Sequence, residues 1–234
     1  MLARVHDRWQ RDPRPGALVI VAGAAIAGFI ALAAAIMLAP AFVRFDLAVT
    51  EAIRSLRVPG LEQAAIAVTS LADFWPMTLF TGLTGLFLYL QGRRTSAITL
   101  VLAVLSGSLF GSLMKLVFVR VRPALDAVPI PIPDTYSFPS GHALTSVLFF
   151  GSLVLLIMLH ERNLRHSVYA SALCVFAALS ISMSRVYLGL HYLGDVIGSW
   201  LLGIAWLALV VVISARWGAG SESECATEPA AAEG

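Results

Sequence analysis

Charge is scarce in this chain, because only 13% of its 234 residues are Asp, Glu, Lys or Arg. A soluble domain carries about a quarter of such residues. Hydrophobic residues make up 59% of the sequence, and the mean hydropathy is +0.84. This composition predicts an integral membrane protein with one compact domain. The basic residues form no patch with interleaved aromatics, so nothing favours binding of nucleic acid.

Cysteine is almost absent as well. Cys174 lies inside an apolar run and Cys225 lies near the C-terminus, so the two are not placed to pair. The sequence has no Cys-x-x-Cys spacing, and no acidic cluster or His/Cys set matches a metal site. We therefore expect no disulfide, no metal site and no cofactor.

Long apolar runs are what the chain has instead. A helix of about 20 apolar residues crosses roughly 30 Å of hydrocarbon. Six runs qualify, namely residues 17–39, 74–91, 95–119, 141–160, 167–186 and 192–215. The predicted fold class is all-α, a polytopic membrane protein with six transmembrane helices in one bundle. The first run also resembles a signal peptide, but its length favours an uncleaved span.

The loop charges predict an orientation in the membrane. With the N-terminus inside, nine of the 15 arginines lie on inner segments and six on outer ones. This bias favours cytoplasmic termini. We expect a cytoplasmic segment at 1–16, a membrane domain at 17–216 and a disordered, acidic cytoplasmic tail at 217–234. The protein would belong to the cell membrane, in a bacterium the inner membrane.

The segment after the first span has an amphipathic pattern. Phe45, Val49, Ile53 and Leu56 recur about every four residues with charged residues between them. This spacing predicts a helix lying in the membrane interface. Two interpretations are open: an ordinary connecting helix, or a lid or lateral wall for a lipid substrate.

Three short polar segments interrupt the apolar runs near their ends. They read Lys115-x(6)-Arg122-Pro123, Pro139-Ser140-Gly141-His142 and Ser184-Arg185-x(5)-His191-x(3)-Asp195. Charged residues near lipid are costly and are usually retained for function. With the predicted orientation, all three segments lie on the outer, periplasmic or extracellular, side.

The third segment contains a possible nucleophile. His191 and Asp195 are one helical turn apart and would share a face. The Asp could accept the proton of one imidazole nitrogen and leave the other free to attack. The alternative is a helix-end His with a capping Asp. Arg185 suits bidentate binding of phosphate oxygens, although an Arg here could also reach the lipid headgroups.

The first two segments add an acid and further phosphate-binding groups. Ser140 is placed as an N-cap, and Gly141 lets an anion approach the start of a helix. His142 would follow in the first turn, where it could protonate a leaving oxygen. Lys115 lies in an apolar run, where it should face a polar cavity or an anion, or else extend to the lipid headgroups. Together the segments supply what phosphoryl transfer needs, namely positioned cations, a nucleophile and an acid.

These residues resemble the three-part signature of the type-2 phosphatidic acid phosphatase superfamily, with every signature position present in order between residues 115 and 195. The resemblance implies a metal-independent phosphatase that acts on membrane lipid phosphates through a phosphohistidine. His191 would attack phosphorus, Asp195 would orient it, and His142 would protonate the leaving oxygen. The phosphoryl oxygens would be held by Lys115, Arg122, Ser140, the Gly141 amide and Arg185.

Three other functions remain open at this stage. A phosphotransferase of the same family would pass the phosphoryl group to another lipid. A transporter or channel would use intramembrane charges to line a path, although such charges usually lie near the midplane. The third is a non-catalytic relative, against which the intact His191, His142 and Asp195 argue. The substrates implied by the resemblance include phosphatidate, phosphatidylglycerophosphate and undecaprenyl pyrophosphate.

Overall fold

The computed structural model describes residues 15–123, 128–132, 134–161 and 163–226, and every regular element in these ranges is a helix. The helices are α1 (Pro15–Leu38), α2 (Pro40–Ser55), α3 (Pro59–Ser70), α4 (Phe74–Leu90), α5 (Arg94–Phe118), α6 (Gly141–His160), α7 (Leu164–Tyr187) and α8 (Leu193–Ala226). Pro40 and Pro59 open α2 and α3, where a missing N–H costs no helical hydrogen bond. The predicted all-α fold is confirmed.

Five helices are long and apolar enough to cross a membrane: α1, α5, α6, α7 and α8 up to Ser214. The run at 74–91 forms α4, whose 17 residues rise about 26 Å and fall short of the hydrocarbon thickness. It qualifies as a sixth span only together with α3, from which it is bent by 52°. The described residues thus contain five membrane spans, or six when α3 and α4 together form the span predicted at 74–91.

The bundle is organised around α8, which packs against α1, α5 and α6. Helix α6 also packs against α7, α4 packs against α5, and α3 packs against α7. Two glycines one turn apart, Gly107 and Gly111, let α5 approach α6 closely, since a Cβ at Gly107 would lie 2.6 Å from Leu148. Helices expose apolar side chains on the outside of the bundle, as at Leu79, Leu83 and Phe87 of α4. Such a surface is suited to contact with lipid.

The amphipathic segment forms a helix, α2, as the spacing predicts. The residues it buries are Asp46 and Thr50, whereas Phe45 and Leu56 are exposed. Its polar side therefore faces the bundle together with part of the apolar stripe, since Ile53 packs against two clusters of buried hydrophobic residues. This helix does more than connect two spans, because it packs against α7 and α8 near the motif residues.

No helix ends at the predicted boundary between the membrane domain and the C-terminal tail. Helix α8 continues to Ala226, past the expected boundary at residue 216. Residues 1–14 and 227–234 lie outside the described ranges. The cytoplasmic N-terminal segment and the disordered tail stay predictions.

Candidate active site

The three motifs meet at one end of the bundle, where α5 and α7 end and α6 and α8 begin. A guanidinium nitrogen of Arg122 lies 3.0 Å from Nε2 of His191, which joins the first motif to the third. The Ser140 N–H donates to the Asp195 carbonyl at 3.4 Å, which joins the second motif to the third. The sequence prediction that these residues converge agrees with this arrangement.

A tight turn after α7 places His191 beside Arg185. Gly189 adopts a left-handed φ of 76°, a conformation that glycine adopts without steric cost. The N–H groups of Leu190 and His191 both donate to the Arg185 carbonyl, at 3.0 and 3.3 Å. Leu188 and Leu190 are fully buried and anchor the turn. The backbone of the turn therefore fixes the distance between the imidazole and the end of α7.

His191 and Asp195 make the contact that their spacing predicts, with Nδ1 3.2 Å from Oδ2. His191 is not on a helix, however, because α8 begins at Leu193. Asp195 is the third residue of α8, and its Oδ2 also accepts from the Tyr192 N–H at 3.0 Å. A carboxylate that bonds back to the N-cap N–H is half of a capping box. Asp195 thus caps α8 and orients His191 at the same time.

Asp195 has two further partners that the sequence analysis did not identify. Arg120 donates to Oδ1 of Asp195 at 2.6 Å, and the Ser137 hydroxyl donates to Oδ2. The other arm of Arg120 reaches Oδ2 of Asp46 at 2.8 Å, and its guanidinium lies 3.9 Å from the centre of the Tyr192 ring. These charged side chains are almost wholly inaccessible to solvent. Asp195 is thereby fixed as a carboxylate inside a closed network.

Helix α2 caps the beginning of α8. Asp46 accepts from the Gly194 N–H at 2.8 Å, and the Thr50 hydroxyl accepts from the Leu193 N–H at 3.3 Å. The first N–H groups of a helix have no partner within it, so these side chains satisfy them. The polar side of α2 is buried for this reason.

The imidazole of His191 is set up as a neutral base. Burial lowers its pKa to about 3, against the raising effect of Asp195. When Nδ1–H donates to Asp195, Nε2 keeps a lone pair that accepts from Arg122. Burial also lowers the pKa of Arg122, whose remaining bonds go to the Leu190 carbonyl and to Thr135. A neutral imidazole with Nδ1 held by a carboxylate and a lone pair on Nε2 is suited to nucleophilic attack once Arg122 turns away from Nε2.

Two buried polar atoms near this imidazole have no hydrogen-bond partner in the described part of the protein. Ser140 occupies the N-cap position of α6, as predicted, but its hydroxyl makes no cap bond and is left unpaired. Nε of Arg185 is also unpaired, while Nη1 of Arg185 donates to the Thr69 hydroxyl at 2.9 Å. Unpaired buried donors are rare in folded proteins and require an explanation. An anion at the start of α6 would satisfy both.

His142 and Lys115 complete the set. His142 lies in the first turn of α6, and its Nε2 is 2.8 Å from Oδ1 of Asp73. The Lys115 ammonium donates to the Tyr136 carbonyl at 2.7 Å, in the segment that leads to α6. Gly141 opens α6, with nothing within 4 Å of the position where a Cβ would stand. An approaching phosphate therefore has room beside this backbone.

Within the described ranges, no three His, Cys, Asp or Glu side chains gather where they could hold a metal ion. The expectation that the protein uses no metal or cofactor stays a prediction.

Sequence reasoning missed the residues that support the signature side chains, namely Asp46, Thr69, Asp73, Arg120 and Ser137. A signal existed for two of them. Arg120 is a charged residue beside the end of an apolar run, and Asp73 directly precedes another. The sequence does not indicate which signature residue each of these supporting residues contacts.

Comparison with known proteins identifies the family. The model of the PAP2 superfamily matches residues 96–219. Undecaprenyl-diphosphatase of Sulfolobus acidocaldarius is 34% identical over 133 residues, which are 55% of this chain and 60% of that protein. The chain thus spans less than two thirds of that relative. Phosphatidylglycerophosphatase B of Bacillus subtilis is 29% identical over 170 residues, 70% of this chain and 81% of the relative.

Two crystal structures share the fold. One is the first transmembrane PAP2-type phosphatidylglycerolphosphate phosphatase from Bacillus subtilis, with a TM-score of 0.74, 24% identity, and coverage of 89% of this chain and 98% of the other. The second is LpxE of Aquifex aeolicus, with a TM-score of 0.54, 22% identity, and coverage of 73% and 94%. The family match extends over more than half of the chain, and the fold agrees with it. The chain belongs to the PAP2 superfamily and is a multi-pass membrane protein of a phosphatase family.

Proposed function

We propose that the protein removes a terminal phosphate from a lipid phosphate or lipid pyrophosphate by transferring it to His191, without a metal ion. The observation that carries this proposal is the pair of unpaired buried donors, Ser140 Oγ and Arg185 Nε, beside a neutral imidazole. An oxyanion-binding site next to a nucleophile is the arrangement that phosphoryl transfer requires.

In the first step Nε2 of His191 bonds to phosphorus while the bond between phosphorus and the leaving oxygen breaks. Arg122 must turn its Nη1 from Nε2 to a phosphoryl oxygen, because it occupies the lone pair that attacks. Asp195 stabilises the positive charge that develops on the ring. The phosphoryl oxygens are bound by Lys115, Arg122, Ser140, the Gly141 amide and Arg185.

His142 moves the protons. As an imidazolium it gives its proton to the leaving oxygen, which departs as an alcohol or a phosphate monoester. The neutral ring then takes a proton from water as that water attacks phosphorus, the bond to Nε2 breaks, and inorganic phosphate is released. One proton is given and one is taken in each cycle, so the ring ends as it began.

The substrate class rests on the membrane setting and on the relatives. Many large hydrophobic side chains are exposed on the outside of the bundle, which supports lateral entry of a lipid from the bilayer. Phosphatidate, phosphatidylglycerophosphate and undecaprenyl pyrophosphate all present a terminal phosphate at the headgroup level, and the similar proteins are named for the last two.

Release of inorganic phosphate from these three lipids tests the proposal. The purified full chain in detergent, with excess EDTA, should release phosphate from at least one of them, and His191→Ala should not. Absence of release, or loss with EDTA that a divalent ion restores, would contradict the proposed reaction. Transfer of labelled phosphate to an added lipid acceptor instead of water would indicate a phosphotransferase.

We further propose that the site faces outward, to the periplasm or cell exterior, with cytoplasmic termini. The support is the excess of arginines on the opposite segments. In a background in which serine replaces Cys174 and Cys225, Asp134→Cys should react with an impermeant thiol reagent in intact cells. Arg165→Cys should not. The opposite pattern would place the reaction in the cytoplasmic leaflet.

A further inference from the structure

Asp73 occupies a helix-capping position without capping its helix. It is the residue before α4, with extended φ and ψ of −63° and 159°, which are suitable for an N-cap. Its side chain makes no bond to the first turn of α4. A capping Asp stabilises a helix, and this contribution is absent at α4. The side chain is used elsewhere, since Oδ1 lies 2.8 Å from Nε2 of His142.

The break between α3 and α4 brings this carboxylate to the site. The two helices are bent by 52° across residues 71–73. Thr69, which lies in the last turn of α3 four residues before Asp73, accepts from Nη1 of Arg185 at 2.9 Å. The end of α3 and the break that follows it therefore present two side chains to two signature residues on different helices.

From these contacts we infer that Asp73 is a positioning residue for the reaction, which holds His142 in the orientation and charge state of a general acid. This inference rests on the proposed function. A carboxylate on one imidazole nitrogen stabilises the imidazolium and directs the other nitrogen at the leaving oxygen. Asp73 remains a carboxylate throughout, while the proton passes from His142 to the leaving oxygen.

The surroundings of His142 oppose a protonated ring. Burial is the largest of these influences, and the guanidiniums of Arg185, at the end of α7, and Arg122, in the segment after α5, act in the same direction. Asp73 acts in the opposite direction through its hydrogen bond and its negative charge, and its side chain is 56% exposed. Its exposure also leaves the pair in exchange with water, which a group that must be reprotonated in each cycle needs.

Two substrates that differ in their need for an acid provide the test. Dioctanoyl phosphatidate releases dioctanoylglycerol, an alcohol whose oxygen must be protonated as it leaves, whereas p-nitrophenyl phosphate releases a phenolate that is stable without a proton. For the purified full chain, Asp73→Asn should lower kcat/KM for phosphatidate roughly tenfold or more, a part of the 10²–10⁴-fold that general acid catalysis contributes. For p-nitrophenyl phosphate the change should be less than about threefold by the same reasoning, because kcat/KM reports steps only up to departure of the leaving group.

Three companion variants separate the possible outcomes. Asp73→Glu, which keeps the carboxylate, should recover much of the phosphatidate activity, and Asp73→Ser, which can still cap α4, should not. Glu51→Gln, an exposed carboxylate on α2, should match the wild type on both substrates. Equal losses on both substrates, no loss on either, or failure of all Asp73 variants to fold would overturn the inference. Equal activity of His191→Ala and the wild type would instead refute the proposed function itself.

Discussion

The site contains two His–Asp pairs in opposite surroundings. The His191–Asp195 side chains are 2% and 0% exposed, and Asp195 is held further by Arg120, Ser137 and the Tyr192 N–H. The His142–Asp73 side chains are 22% and 56% exposed. The Asp195 carboxylate is buried and has several hydrogen-bond partners, whereas the Asp73 carboxylate is exposed at the break between α3 and α4.

The difference matches two chemical tasks. A nucleophile must present one nitrogen in one direction, so a closed network that fixes its tautomer is useful. An acid that also acts as a base must exchange protons with the leaving group and with water, so it must remain accessible. If this assignment of tasks is correct, variants in the two pairs should fail in different ways.

The largest difference is expected between His191→Ala and His142→Ala. His191→Ala removes the phosphoryl acceptor, so turnover of every substrate should fall by about 10⁴-fold or more. His142→Ala removes only proton transfer, so kcat/KM for p-nitrophenyl phosphate should survive much better than kcat/KM for phosphatidate. Steady-state assays of both variants on both substrates check this. Parallel losses would remove the distinction between the two pairs.

Arg120→Ala tests the closed network. It leaves Asp46 and Asp195 buried without their common cation, and breaking a buried ion pair costs about 3–5 kcal/mol. Arg57→Ala is the matched control, because Arg57 pairs with Glu62 in a more open setting, where ion pairs are worth about 1 kcal/mol or less. Thermal unfolding in detergent should therefore show a large loss for the first variant and a small one for the second. Equal shifts would contradict a structural role for Arg120.

Substitution of two glycines tests how tightly each part of the site is packed. A Cβ at Gly194 would lie 2.5 Å from Oδ2 of Asp46, so Gly194→Ala should displace α2 and cost about 1–3 kcal/mol of stability. A Cβ at Gly141 meets nothing within 4 Å, so Gly141→Ala should fold like the wild type. Its loss, if any, should appear in KM, where the methyl group crowds the incoming phosphate. Unfolding midpoints of the two variants give the comparison, and an unstable Gly141→Ala would argue against an open site there.

The smallest effect concerns pH. The folded-state pKa of His191, about 3, lies below the value of about 6.5 for a free imidazole. The unfolded chain therefore binds more protons between these values, and stability is lost as the pH falls from about 6.5 towards 3. The unfolding temperature should be lower at pH 5 than at pH 7.5, and His191→Gln should reduce that drop. An identical drop in the variant would show that His191 is not buried as a neutral base.

The signature residues could be located from the sequence because their chemistry is local. His191 and Asp195 lie four residues apart, and their contact follows from that spacing even though a turn, not a helix, carries the His. The unpaired Ser140 hydroxyl could not be anticipated, because an N-cap position normally predicts a cap bond. The bend between α3 and α4 could not be predicted either, because the length and hydrophobicity of an apolar run do not indicate a bend before it.

The supporting residues depend on long-range packing. Asp46 and Arg120 are 74 residues apart, and Asp73 and His142 are 69 apart. A pattern of hydrophobic residues predicts which face of a helix is apolar, but not which helices meet. On α2 the pattern predicts Asp46 on the polar side, and only the packing against α8 shows that this side is buried.

The central claim, that His191 carries the phosphoryl group, is tested most directly by trapping the intermediate. Wild-type enzyme and His142→Ala would be mixed with ³²P-labelled substrate, quenched within milliseconds in alkali, and digested for mass spectrometry. A phosphohistidine is stable to alkali and labile to acid, and we expect it on His191 in both proteins and on no residue in His191→Ala. A phosphoryl group on another residue, or rapid turnover with no labelled protein, would contradict the account.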